Sequence, residues 1–143
     1  MSNTLPMSGE FFIKRLSDLC LRSGLSGFPA NENAQHILLK SVVLTIEGAG
    51  TFTEKEIDEK MKYWIESISR FKEIDHVMLR RLLVDAGYVT RNRDGSCYRV
   101  SPIDPRPELF DDSVEQIDVA ASVQTAREEI DRRKKEYAKK ASK

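Results

Sequence analysis

The chain has 143 residues, room for one domain with extensions or for two very small ones. Its apolar fraction of 40% is compatible with a buried core, while a mean hydropathy of -0.46 and the lack of any apolar run near about 18 residues exclude a membrane-spanning helix. Its 23 basic side chains balance 23 acidic ones, so strong nonspecific DNA binding is disfavoured unless positive charge clusters locally.

No basic region followed by an apolar stretch opens the chain, so no signal peptide is expected and the location is read as cytoplasmic. Cys20 and Cys97 lie far apart, without metal or redox spacing, and read as two buried thiols in a reducing compartment. Residues 1–8 are expected as a polar, frayed end.

Gly9 to Arg22 reads as an amphipathic helix, with Phe12, Leu16, Leu19 and Cys20 on one side and Ile13 beside them. Glu10 in its first turn and Arg22 in its last suit the helix dipole. Ser23 to Asn33 is a loop, held extended at Phe28 by the proline that follows, with Phe28 plugging the core. Asn33 can cap a helix from Ala34 to Glu47, ended by Gly48 and Gly50. Ile37, Leu38, Leu39, Val42, Val43, Leu44 and Ile46 surround most of this helix, so it reads as the buried centre of the domain. His36 in its first turns has no partner at zinc spacing and reads as a surface or satisfied core histidine.

The stretch from Thr53 to Val100 reads as helix, turn, helix, hairpin. Thr53 with Glu56 forms a capping box, and Ile57, Met61, Trp64, Ile65 and Ile68 make one apolar stripe. Asp75 can cap a second helix whose core face is Leu79, Leu82, Leu83 and Ala86, ended by Gly87. Residues 88–91 and 97–100 are β-prone, with the turn signal Asp94-Gly95 between them and Thr51-Phe52 available as a small third strand. This is the layout of a winged helix.

The residue order here resembles the bacterial domain-of-unknown-function family numbered 2087. The resemblance rests on Gly27-Phe28-Pro29, on Phe52-Thr53-Glu54 with Glu56-Ile57-Asp58, on Asp75 followed by the run Leu79 to Asp85 and Gly87, and on Arg91, Asp94-Gly95 and Tyr98. It covers roughly residues 25 to 101, and the leucine-arginine-arginine run with its downstream aspartate and glycine is its most specific part. Phe52 stands where the family has a tyrosine and Asp58 where it has an asparagine, so no role of a tyrosine hydroxyl or an amide carries over to those positions. The resemblance implies a winged-helix-like fold and a regulatory role, and it brings no catalytic residues.

Pro102, Pro105 and Pro107 mark a semi-rigid linker, followed by an acidic stretch from Glu108 to Asp118. A last helix is expected from Val114 or Val119 to Lys140. Val119, Val123, Ala126, Ile130 and Tyr137 form a heptad-like stripe along it, which can dimerise or fold back onto the domain. The basic residues from Arg132 to Lys135, with Lys139, Lys140 and Lys143, read as a solvated face and dipole partners rather than a nucleic-acid tail. The expected fold class is α+β, mainly α with a small β-hairpin. Its parts are an N-terminal helix (1–24), a winged helix-turn-helix (25–101), a linker (102–113) and a charged C-terminal helix (114–143).

In a DNA-binding winged helix the second helix of the helix-turn-helix enters the major groove. Here its outer face carries Val77, Arg80, Arg81 and Val84, with His76 at the start. Arg80 and Arg81 suit guanine edges or phosphates, and Arg91, Arg93 and Arg99 on or near the wing suit the backbone. Against this, Val77 and Val84 offer bases no hydrogen bonds, Arg81 has Asp85 four residues on, and Glu54, Glu56, Asp58 and Glu59 crowd the preceding helix. Valines rimmed by arginines suit a protein partner equally.

Two functions therefore stand as expectations. One is a regulator binding double-stranded DNA through these five arginines, with the C-terminal helix as a homodimer contact. The other is a winged-helix module that binds a protein and no nucleic acid. Catalysis is not expected, since His36 and His76 are the only histidines and no glycine-rich phosphate loop occurs, and no cofactor or membrane is expected either.

Overall fold

The computed structural model describes residues 6–46 and 50–141. The expectations for residues 1–5, for the helix end at Glu47 and Gly48, and for Lys143 lie outside the described residues. Five α-helices and one hairpin follow in chain order: α1 (Gly9–Leu21), α2 (Glu32–Thr45), α3 (Glu54–Tyr63), α4 (His76–Ala86), β1 (Val89–Arg91), β2 (Tyr98–Val100) and α5 (Val119–Ala141). The class is the α+β, winged-helix-like one expected.

Each helix start has a local cause. The Ser8 side chain accepts from Phe11 N at α1, and Thr53 and Glu56 close a reciprocal capping box at α3. The cap of α2 is Asn31 rather than Asn33. Its backbone is extended, its side chain accepts from Ala34 N, and Glu32 then falls in the first turn, where the helix dipole favours an acid.

Helix α2 is the centre of the core, with every residue from His36 to Val42 buried. Two buried polar groups on it find partners elsewhere in the fold. The Trp64 indole donates to Ser41 Oγ at 2.9 Å, and the Tyr88 hydroxyl lies 2.7 Å from His36 Nδ1. His36 is thus a satisfied core histidine. Phe28 is half-buried and packs on Trp64 and Phe71, with ring centroids 6.1 and 6.4 Å away. Cys20 is half-buried on α1, and burial pushes its thiol up to about 12 despite the nearby Arg127.

The apolar stripe expected as one helix from Ile57 to Ile68 is split. After Tyr63 the chain widens into a π-helical turn, Trp64–Ser69, ending at Arg70 in the left-handed region, whose amide donates to Ile65 O five residues back at 2.7 Å. The wider turn keeps both Trp64 and Ile68 buried.

The segment 101–118 differs from the linker expected at 102–113. Leu109, Phe110 and Val114 are buried in the same core as α2. Met7 N donates to Leu109 O at 2.7 Å and Asp111 N to Met7 O at 2.9 Å, so Met7 is a buried bridge partner rather than part of a frayed end. Prolines separate these apolar groups in sequence, yet the strap they form lies across α2. Lys40, 2% exposed, holds it there by donating to Asp104 at 2.8 and 3.0 Å and to Glu115 at 2.5 Å.

Helix α5 folds back onto the domain. Val119 and Val123 are buried against a layer that includes α1, and Arg127 donates to Ile68 O at 3.0 Å.

Candidate nucleic-acid interface

Helix α4 is set by its two caps. Asp75 accepts from Met78 N at 2.8 Å, and Gly87 closes the end with φ 90°. Gly87 also sits against the strap, where an added Cβ would come within 3.3 Å of Pro105. Leu79 and Leu83 point into the core, which leaves Val77 and Arg81 exposed as expected, whereas Arg80 is largely buried and Val84 packs partly against the core. Met78, 49% exposed, joins Val77, 42% exposed, at the start of that outer surface.

The wing is built on the register Val89↔Val100, Thr90↔Arg99 and Arg91↔Tyr98. Phe52 adds a single-residue third strand, exchanging backbone hydrogen bonds with Tyr98 at 2.7 and 2.8 Å. Side chains alternate across a strand, so Arg91 shares the helix-facing side with the buried Val89 and Tyr98, and Arg99 lies on the other face with Thr90. Arg93 sits at the exposed tip. There Asn92 accepts from Cys97 N, and the Ser96 hydroxyl and amide hold the Asp94 carboxyl below its usual range. Gly95 has φ 75°, and a Cβ there would lie 2.9 Å from the Arg91 guanidinium. The glycine therefore makes the turn and leaves room for Arg91.

Arg80, Arg81 and Arg91 line one open cleft of about 270 Å³ between α4 and the wing, with Glu54, Val84 and Tyr98 among its walls. The three arginines are not equivalent. Arg80 has 17% of its side chain exposed and donates to Asp58 Oδ1 at 2.5 Å, with Glu54 at 3.6 Å and the Tyr98 ring centroid 5.5 Å from its guanidinium carbon. Burial pulls its pKa down, but the hydrogen bond and charge of Asp58 more than reverse this, so it stays above the ordinary arginine value. His76 Nε2, at 4.0 Å, shares Asp58 with it. Arg81 and Arg91 are exposed, and neither has a carboxylate within 4.0 Å among the described residues. The four-residue spacing from Arg81 to Asp85 thus closes no ion pair.

The acidic start of α3 is also resolved into separate roles. Glu56 accepts from Thr53 N at 2.8 Å, while Asp58 and Glu54 turn to Arg80. Sequence spacing gave no sign that Asp58 and Arg80, 22 residues apart, would meet. Nor did it single out Tyr98 as the surface beneath Arg80. Among the described residues no group of three or more histidines, cysteines or carboxylates lies close enough to hold a metal, and no helix is long and apolar enough to cross a membrane.

One family profile, described as uncharacterized protein conserved in bacteria (DUF2087), matches residues 24–100. The chain belongs to this family. The match runs from the loop before α2 to the end of β2, so α1, the strap and α5 lie outside it. Neither a curated protein nor a solved structure matches the chain.

Proposed function

We propose that this DUF2087 protein is a cytoplasmic, non-catalytic regulator that binds double-stranded DNA, with α4 in the major groove and the β1–β2 wing along the backbone. The observation that carries the reading is the pair Arg81 and Arg91. They come from two different elements, line one open cleft, and have no carboxylate in ion-pair reach among the described residues. Unpaired guanidinium groups on a helix and a wing suit phosphate oxygens and guanine edges. Arg93 and Arg99, also exposed, add backbone contacts from the tip and far face of the wing. Arg80 is a positioning residue here: bound to Asp58 over Tyr98, it ties α4 to α3 and the hairpin.

The test is fluorescence anisotropy on a random-sequence duplex across a salt series. Each phosphate contact adds about 0.9 to the slope of log affinity on log salt. Alanine at both Arg81 and Arg91 should therefore lower the slope by about 2. Alanine at Arg80 should leave the slope unchanged. An unchanged slope in the Arg81/Arg91 variant removes the proposal.

A second reading, a protein-docking face, is favoured by the exposure of Val77 and Met78 at the start of α4. An apolar pair rimmed by arginine is ordinary interface composition. If the wild-type chain binds no duplex at low salt, while V77D/M78D releases a captured protein partner, this second reading replaces the first.

A further inference from the structure

The first half of α5 is a packed helix and the second half is an overhang. Val119 and Val123 are buried and Ile130 is half-buried, but every residue from Asp131 to Ala141 is exposed. At 1.5 Å per residue those eleven residues extend roughly 16 Å. They hold six basic side chains and two acidic ones, whereas residues 24–100 hold eleven of each. The family domain has no net charge, whereas this one projection carries a net charge of +4.

Part of that charge is spent within the helix. Arg132 pairs with Glu129 and Glu136 at 2.6 and 2.8 Å, and Arg133 with Glu129 at 3.0 Å. These i,i+3 and i,i+4 pairs support an otherwise solvated helix. Lys134, Lys135 and Lys140 have no carboxylate within 4.0 Å among the described residues.

The composition of the overhang decides among its possible partners. An interfacial membrane helix needs an apolar face, and here only Tyr137 and two alanines interrupt the polar residues. A second copy fits poorly as well. On the side that continues from Val119 and Val123, Arg133 and Lys134 fall between Ile130 and Tyr137, so self-pairing would bring like charges together. A duplex phosphate backbone carries one negative charge per about 1.7 Å of axis and needs no apolar face.

We propose that the exposed end of α5 is a second, sequence-independent contact to duplex nucleic acid, made through Lys134, Lys135 and Lys140. It stands apart from the α4–wing cleft: α5 packs on α1, α2 and the π-helical turn, while α4 packs on α3 and β1.

The test compares the full chain with K134Q/K135Q/K140Q in the same anisotropy assay, from about 50 to 200 mM salt, the range over which phosphate contacts dominate the change in affinity. Glutamine keeps helix propensity, so circular dichroism should be unchanged. The slope should fall by about 3, with affinity at low salt down by about tenfold or more. An unchanged slope overturns the proposal, as does a wild-type chain that binds no duplex. Binding of phosphatidylserine-containing vesicles that is lost in the triple variant, with duplex affinity unaffected, also overturns it and assigns the helix to a membrane surface. A slope that falls in the lysine variant but not in the Arg81/Arg91 variant leaves this contact standing and removes the α4–wing reading.

Discussion

Lys40 and Arg81 are both cations on helices of the same small fold, and their surroundings could hardly differ more. Lys40 is buried, with its ammonium shared between Asp104 and Glu115 of the strap. Arg81 is exposed on α4, facing a cleft that it shares with Arg91. A buried charge has to be matched where it sits, because removal from water costs several kcal/mol per ion. An exposed charge is free to be matched by something else. Arg80 stands between the two, on the cleft like Arg81 but paired like Lys40. The contrast separates charges paired within the fold from those with no carboxylate in reach among the described residues.

The largest effect should come from Lys40. Lys40→Ala removes the shared partner of two carboxylates and leaves space beside Phe110, at a cost of about 2–4 kcal/mol in urea unfolding. The loss is smaller than for a fully buried pair because Glu115 is half exposed. Lys40→Met, which keeps the stem, should recover about half of that loss. If the alanine variant is as stable as wild type, Lys40 does not clamp the strap.

Asp58→Asn should cost less, about 1 kcal/mol, because Arg80 keeps Glu54 and Tyr98. Its value lies in the binding assay. With Asp58 neutral, Arg80 keeps only the more distant Glu54 as a charge partner, and the salt slope should rise by up to about 1. No rise would mean that Arg80 cannot reach a phosphate even when released.

The smallest effect concerns His36. Burial, with Arg106 adding to it, holds the imidazole below its ordinary value of 6.5, although Glu32 and Glu108 pull the other way. The unfolded chain therefore takes up a proton near that pH which the folded chain does not. Stability should be full above pH 6.5 and fall as the pH drops below it, at no more than about 1.4 kcal/mol per pH unit. Urea midpoints from pH 7.5 to 5.5 should show this extra loss in wild type and not in His36→Asn; equal profiles would contradict it.

Much of the fold was legible because its signals are local. The Thr53–Glu56 capping box, the Asp75 cap, Gly87 and the Asp94-Gly95 turn each act within a few residues, and each appears where the sequence places it. The cap of α2 was misplaced by two residues, because Asn33 is the same residue type as Asn31, whose extended backbone and bond from Ala34 N make it the cap. The π-helical turn left no mark, since Trp64 and Ile68 fit an α-helical stripe as well. Leu109 and Phe110 were hidden among prolines that usually mark a linker, and Lys40 gave no hint of burial because its partners lie more than sixty residues on. The candidate site divides in the same way. The outward face of α4 follows from helical periodicity. Which of its arginines is already paired depends on a contact between helices that no spacing rule encodes.

The most direct test of the account is amide hydrogen exchange on the full chain at low salt, with and without a random-sequence duplex. Slowed exchange is expected in α4 and across the β1–β2 hairpin, at residues 76–86 and 89–100. Unchanged exchange in both elements while the duplex is bound would contradict it.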